Sequence, residues 1–136
     1  MSDRELYEMA LKAREQSYCP YSRFAVGAAL LAMDGGVYLG CNIENASFGA
    51  GNCAERTAFF KAVSGGARGF EAIAIAGGRE GSEELEFCPP CGICRQVMRE
   101  FCEPDRFRII VGNSKGELKS WKLEELFPES FGPENL

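Results

Sequence analysis

Seven cysteines and no histidine set the chemistry open to this chain of 136 residues. Without imidazole there is no His-based general base, nucleophile partner or metal ligand, so a transition metal must be held mainly by thiolate. Two thiols stand three apart in Cys91-Gly92-Ile93-Cys94, at the start of an expected helix, where the dipole and free N–H groups favour thiolate. Such a pair binds metal or performs redox chemistry. Cys53 opens a second expected helix, and this third thiol, with Pro89-Pro90 just upstream of Cys91, favours zinc over a thioredoxin-like dithiol. Three thiolates leave one tetrahedral position open, as in a catalytic zinc site; a fourth would close the site into a structural one. Cys88 has the spacing to be that fourth, but Pro89-Pro90 stiffens the chain in an extended form that turns it away. In Cys53-Ala54-Glu55, the carboxylate sits beside the metal without being a ligand, placed to take a proton from an activated water.

Those residues need elements to carry them. Ser2 followed three residues later by Glu5 is a capping box, and Leu6, Met9, Ala10, Ala13 and Ser17 recur at helical spacing. The chain therefore opens on an amphipathic helix, broken at Cys19-Pro20. Residues 24–33 form a nearly continuous apolar run, Asp34-Gly35-Gly36 a turn and residues 37–41 a second run, which together read as an antiparallel hairpin. Residues 42–52, rich in Asn, Gly and Ser, are a loop; 53–64 are helical until Gly65-Gly66 stops them. A short buried strand is expected over 70–76, a polar surface loop over 77–86 and a helix over 91–101. Strands over 109–112 and 118–121, joined by a turn at 113–117, and a short helix over 123–127 complete the order. The pattern indicates an α/β fold, a three-layer mixed β-sheet flanked by helices with two βα crossovers in its middle. Residues 132–136 are expected to be loosely held.

Length and a 46% hydrophobic, 26% charged composition fit one domain over residues 1–136. No apolar run is long enough to span a bilayer and no early stretch reads as a secretion signal, so a cytoplasmic location and reduced thiols are expected. The Asn45-Ala46-Ser47 triplet is accordingly read as incidental. Asp and Glu outnumber Lys and Arg 20 to 15, a net charge of −5. Phosphate backbones call for clustered cations, so a nucleic acid polymer is not the expected partner and a small, nearly neutral ligand is.

Four strings carry a resemblance through most of the chain: Tyr21-Ser22-Arg23-Phe24-Ala25-Val26-Gly27-Ala28-Ala29-Leu30, Asn42-Ile43-Glu44-Asn45-Ala46, Cys53-Ala54-Glu55-Arg56 and Pro90-Cys91-Gly92-Ile93-Cys94-Arg95-Gln96. In this order they resemble the small homotetrameric zinc-dependent cytidine deaminases. The resemblance implies Zn2+ on Cys53, Cys91 and Cys94, and hydrolysis of cytidine and 2'-deoxycytidine to uridine and 2'-deoxyuridine plus ammonia, a step of pyrimidine salvage. It gives Glu55 the proton transfers, with hydroxide attacking C4 and protons returned to N3 and the departing amine. It assigns Asn42 and Glu44 to the ribose hydroxyls, Phe24 to packing against the pyrimidine, and backbone groups near Ala54 and Cys91 to the exocyclic amine. Three thiolates and a hydroxide leave a zinc cluster with about two excess negative charges, and Arg56 is implied to offset them by hydrogen-bonding thiolate sulfur. The homotetramer would share its active sites through Phe131, reaching into a neighbouring subunit.

The chain departs from the family pattern at Pro89, where many relatives have Ser, at Ile93, where Ala is usual, and in the late string Leu126-Phe127-Pro128-Glu129-Ser130-Phe131. These changes bear on pocket detail rather than on the reaction. Alternatives from the same residues keep the zinc and change the substrate, to an aminopyrimidine antibiotic, a free base or cytosine within a polynucleotide. Another class, a structural zinc or RNA-binding module, requires Cys88 as a fourth ligand and a basic face.

Overall fold

Along the first strand, alternate residues face opposite ways, and both faces are covered. Ala28, Leu30 and Ala32 belong to one buried cluster, Ala29 and Leu31 to another. The period of two in side-chain direction, with apolar partners on both sides, explains why this strand reads as one apolar run instead of an alternation. The same split holds for Ile73 and Ile75 against Ala72, Ala74 and Ala76, and for Ile109 and Val111 against Ile110.

The computed structural model describes residues 1–136. Its elements are α1 (Asp3–Arg14), β1 (Phe24–Ala32), β2 (Val37–Cys41), α2 (Ala54–Ser64), β3 (Phe70–Arg79), α3 (Gly92–Phe101), β4 (Arg108–Gly112), β5 (Leu118–Lys122) and α4 (Leu123–Leu126). The five strands form one sheet in the order β2-β1-β3-β4-β5. β1 pairs antiparallel with both β2 and β3, β3 runs parallel to β4, and β4 is antiparallel to β5. Leu6, Tyr7 and Ala10 of α1 cover the face carrying the small Ala residues. Phe59 of α2 and Met98 of α3 pack in the other cluster. The expected three-layer α/β architecture is the observed one.

Ser2 caps α1 as its spacing to Glu5 requires, its hydroxyl accepting the Glu5 N–H at 3.1 Å. Two expectations need correction. β3 does not end at residue 76: Gly77, Gly78 and Arg79 continue it, paired with Val26, Ala25 and Phe24. The two glycines read as loop formers, yet here they lie in the sheet because neighbouring side chains occupy the space a Cβ would need, Cys88 at Gly77 and Leu85 at Gly78. The C-terminal residues are also not loose. They close into a 3-10 turn, Pro133–Asn135, and Glu134 forms an ion pair with Arg99.

Glycine sets the spacing of layers on both faces. A Cβ on Gly27 of β1 would meet the α1 backbone at Ala10 and Arg14, and one on Gly40 of β2 would meet the α2 backbone at Ala54 and Ala58. Backbone cannot yield as a flexible side chain can. Gly27→Ala is therefore expected to lower stability by about 1–3 kcal/mol, the usual cost of overpacking; an unchanged urea midpoint with an unchanged slope would contradict the close approach.

Candidate active site

Two helices begin at the same place. Cys53 is the N-cap of α2 and Cys91 the N-cap of α3, both with extended backbone and neither using its side chain as a cap. Cys94 lies in the first turn of α3 and is buried. The sulfurs of the three residues lie within 4.8 Å of one another, with Cys53 Sγ and Cys91 Sγ 3.7 Å apart. Tetrahedral zinc with Zn–S bonds of about 2.3 Å holds its sulfurs roughly 3.8 Å apart, so the donor set fits that ion in both chemistry and spacing. Cys88 is outside the group; its sulfur faces Gly77 of β3.

Glu55 is the one buried charged residue of the chain, with 5% of its surface accessible. Burial pushes its carboxyl up to about 7, the Cys53 thiolate adding to the effect and Arg56 opposing it. A carboxyl poised there takes and gives protons near neutral pH. Arg56, the next residue, donates from Nη2 to Cys53 Sγ at 3.1 Å. Cys53 is held below the ordinary thiol range first by the hydrogen bond from Cys94 and then by Arg56, while Cys94, giving that hydrogen bond, is pushed up. The groups around Cys53 thus favour its thiolate form.

The sulfurs and Glu55 stand at one end of a cavity of about 600 Å³, walled by the 42–52 loop, the turn at Tyr21-Ser22 and the Cys88-Pro89 segment. That is room for a small heterocyclic ligand, with a polar rim and a few convergent charged groups.

Comparison with known proteins places these residues in a family. A family model described as "Cytidine and deoxycytidylate deaminase zinc-binding region" matches residues 1–110. The chain belongs to that family. It is 48% identical over 136 residues to a cytidine deaminase of Sporosarcina psychrophila, covering all of this chain and 96% of the relative. A cytidine deaminase of Halalkalibacterium halodurans is likewise 48% identical, with 100% and 98% covered. The crystal structure of cytidine deaminase from Burkholderia pseudomallei superposes with a TM-score of 0.86 at 45% identity, covering 96% of this chain and 100% of that one. As in the matched region of the family, the cofactor is zinc, and Cys53, Cys91 and Cys94 are the triad that binds it.

The family resemblance drew attention to further residues, and the structure brings most of them to the cavity. Asn42, Glu44, Ala54 and Arg56 line it together with Cys53, Cys91 and Glu55. Asn42 and Glu44 also brace the walls. Asn42 Oδ1 accepts from Val26 N–H at 2.9 Å and from the Ser17 hydroxyl, while Nδ2 donates to Phe24 O at 2.8 Å. One amide hydrogen of Asn42 remains for a ligand. Glu44 accepts from the backbone N–H of Tyr21 and Ser22 at 2.9 and 3.1 Å and from the Ser22 hydroxyl, bonds that hold its carboxyl below the usual range. Phe24 and Phe131 do not line this cavity. Phe24 lines an adjoining cleft that shares Cys88 and Pro89 with this cavity, and Phe131 is exposed.

Sequence reasoning passed over Tyr21 and Phe48, which reach the cavity from two loops and meet edge to face with ring centroids 6.2 Å apart. The signal available in the sequence was an aromatic, Phe48, in the otherwise small-residue stretch 46–51.

The separation of Cys88 from the triad has a direct consequence. Cys88→Ser is expected to retain zinc at the wild-type ratio, whereas Cys94→Ser loses it, both read by metal analysis of the purified protein. Loss of zinc from Cys88→Ser would make the site a closed one.

Proposed function

We propose that the protein hydrolyses cytidine and 2'-deoxycytidine to the corresponding uridines and ammonia, as one domain over residues 1–136. The observation that carries this reading is Glu55, buried and outside the three-sulfur group, in the same cavity as the sulfurs of Cys53, Cys91 and Cys94, which would hold zinc. Bound zinc supplies a Lewis acid that brings the proton affinity of a water molecule into the neutral range. Glu55 takes one proton as the water oxygen bonds to C4 of the pyrimidine and delivers it to N3; it then takes the second proton from the new C4 hydroxyl and gives it to the amine, which leaves as ammonia as the C4–N bond breaks and the C4 carbonyl forms. One water is consumed and one ammonia leaves. Burial of Glu55, which lifts its carboxyl to about 7, suits it to both directions of transfer. Arg56, by its contact with Cys53 sulfur, draws off charge that would weaken the Lewis acid.

For recognition, the free amide hydrogen of Asn42 and the remaining lone pairs of Glu44 take the ribose hydroxyls, and backbone at Ala54 and Cys91 orients the amine. Phe24, in the adjoining cleft that shares Cys88 and Pro89 with this cavity, is the ring that packs against the pyrimidine. A nucleoside rather than a polynucleotide fits a chain with a net charge of −5. The homotetramer, with Phe131 completing a neighbour's site, accounts for that ring being 57% exposed. No helix is long and apolar enough to cross a membrane, in keeping with a cytoplasmic enzyme.

The test is the fall in ultraviolet absorbance when purified protein meets cytidine, deoxycytidine, cytosine or a short single-stranded oligonucleotide. Turnover of the two nucleosides alone is expected; turnover of the oligonucleotide alone would replace the reading with polynucleotide editing. Glu55→Gln should keep its zinc and lose about 10²–10⁴ in kcat, the range for removing a general acid–base; normal turnover by that variant would remove Glu55 from the mechanism.

A further inference from the structure

The C-terminal segment passes along α3 and is held by three of its side chains. Arg95 donates from Nε to Pro90 O at 2.8 Å, immediately before the ligand Cys91, and from Nη1 to Leu126 O. Gln96 Nε2 donates to the Phe131 carbonyl at 2.9 Å. Arg99, one turn after Arg95 on the same face, donates from Nε to Ser130 Oγ at 2.9 Å and pairs with Glu134. The Arg99 side chain is only 11% exposed, and Gly132 lies so close over its guanidinium that a Cβ there would collide with it. Glu129 takes a left-handed conformation at φ 50, which costs a non-glycine residue energy and sets the direction in which the segment turns. The outcome is an aromatic residue whose backbone is pinned on both sides while its ring projects into solvent.

We propose that Arg99 is a positioning residue that holds residues 130–134 so as to present the Phe131 ring to the cavity of a neighbouring copy of this chain. The inference rests on the shared-site tetramer reading above and extends it to the group that fixes the ring. A free chain end would pay conformational entropy each time an aromatic side chain was ordered against another subunit. Here that ordering is already done inside the protomer, by a guanidinium that binds a hydroxyl and a carboxylate at once. The same helix carries Cys91 at its N-cap and Cys94 in its first turn, so the tail is referenced to the metal-binding helix rather than to a loop.

Two measurements test this on the zinc-loaded, full-length protein. Hydrogen exchange of residues 127–136 should rise in Arg99→Ala while the rest of α3 keeps its protection; an unchanged tail overturns the clamp. In steady-state assays with cytidine, Arg99→Ala and Phe131→Ala should each raise KM by roughly tenfold with zinc content unchanged, and the double variant should be no worse than either, since residues acting through one contact do not add. Additive effects, or a KM untouched by Arg99→Ala, would overturn the positioning role. A wild-type chain inactive on cytidine ends the deaminase reading instead, and the exchange result then judges the clamp alone.

Discussion

Three sulfurs that bind metal as thiolates must be held within 4.8 Å of one another, and like charges at that distance repel strongly wherever water is excluded. The layout around them answers that repulsion. Two helix N-termini, those of α2 and α3, converge on the sulfurs, bringing the positive ends of two dipoles, and the Arg56 guanidinium reaches Cys53 sulfur. For the N-termini to meet, both helices must lie on one face of the sheet at fixed depth. Gly40 lets the α2 backbone sit against β2, and Phe59 of α2 packs on Phe70, Phe101 and Phe107 with ring centroids 5.1 to 6.2 Å apart. That aromatic cluster ties α2 to β3, to the end of α3 and to the segment entering β4, so the register between the two N-caps is set by the core and not by the loops.

The buried carboxyl of Glu55 depends on the same arrangement. Glu55 follows Cys53 by two residues and so leaves the N-terminus of α2 on the buried side, where desolvation raises its proton affinity. Moving it one position along the helix would rotate it by about 100°, which is the displacement that separates it from Arg56, a residue turned to the sulfur. Adjacent positions in one helical turn thus sit in opposite environments: a buried carboxyl with raised proton affinity at Glu55 and a guanidinium against Cys53 sulfur at Arg56.

The core of the site was legible in the sequence because its chemistry is local. Cysteine spacing, a helix start and a carboxylate two residues on are short-range facts, and the hairpin and two crossovers followed from apolar runs. What escaped depended on contacts distant along the chain. Gly77 and Gly78 read as loop because their neighbours Cys88 and Leu85, which occupy the missing Cβ space, are up to eleven residues away. The order of the C-terminus escaped for the same reason: Arg99 meets Ser130 across 31 residues and Gln96 meets Phe131 across 35. Asn42 and Glu44 were noticed through a family likeness, yet most of their hydrogen-bonding capacity is spent on the walls.

Both residues thus serve the loops as well as the cavity. A side chain that both braces a loop and lines a cavity is already held in place, so little ordering cost would remain for a solute that met it. Asn42 ties Val26 and Phe24 of β1 to the loop after β2, and Glu44 ties that loop to the turn at Tyr21-Ser22. The two walls therefore reach the zinc site through the β1–β2 pair, whose Gly40 touches α2 at Ala54, next to Cys53. Rim and metal site are thus joined through one strand pair, so the donors and acceptors at the rim are tied to the helix that carries Glu55.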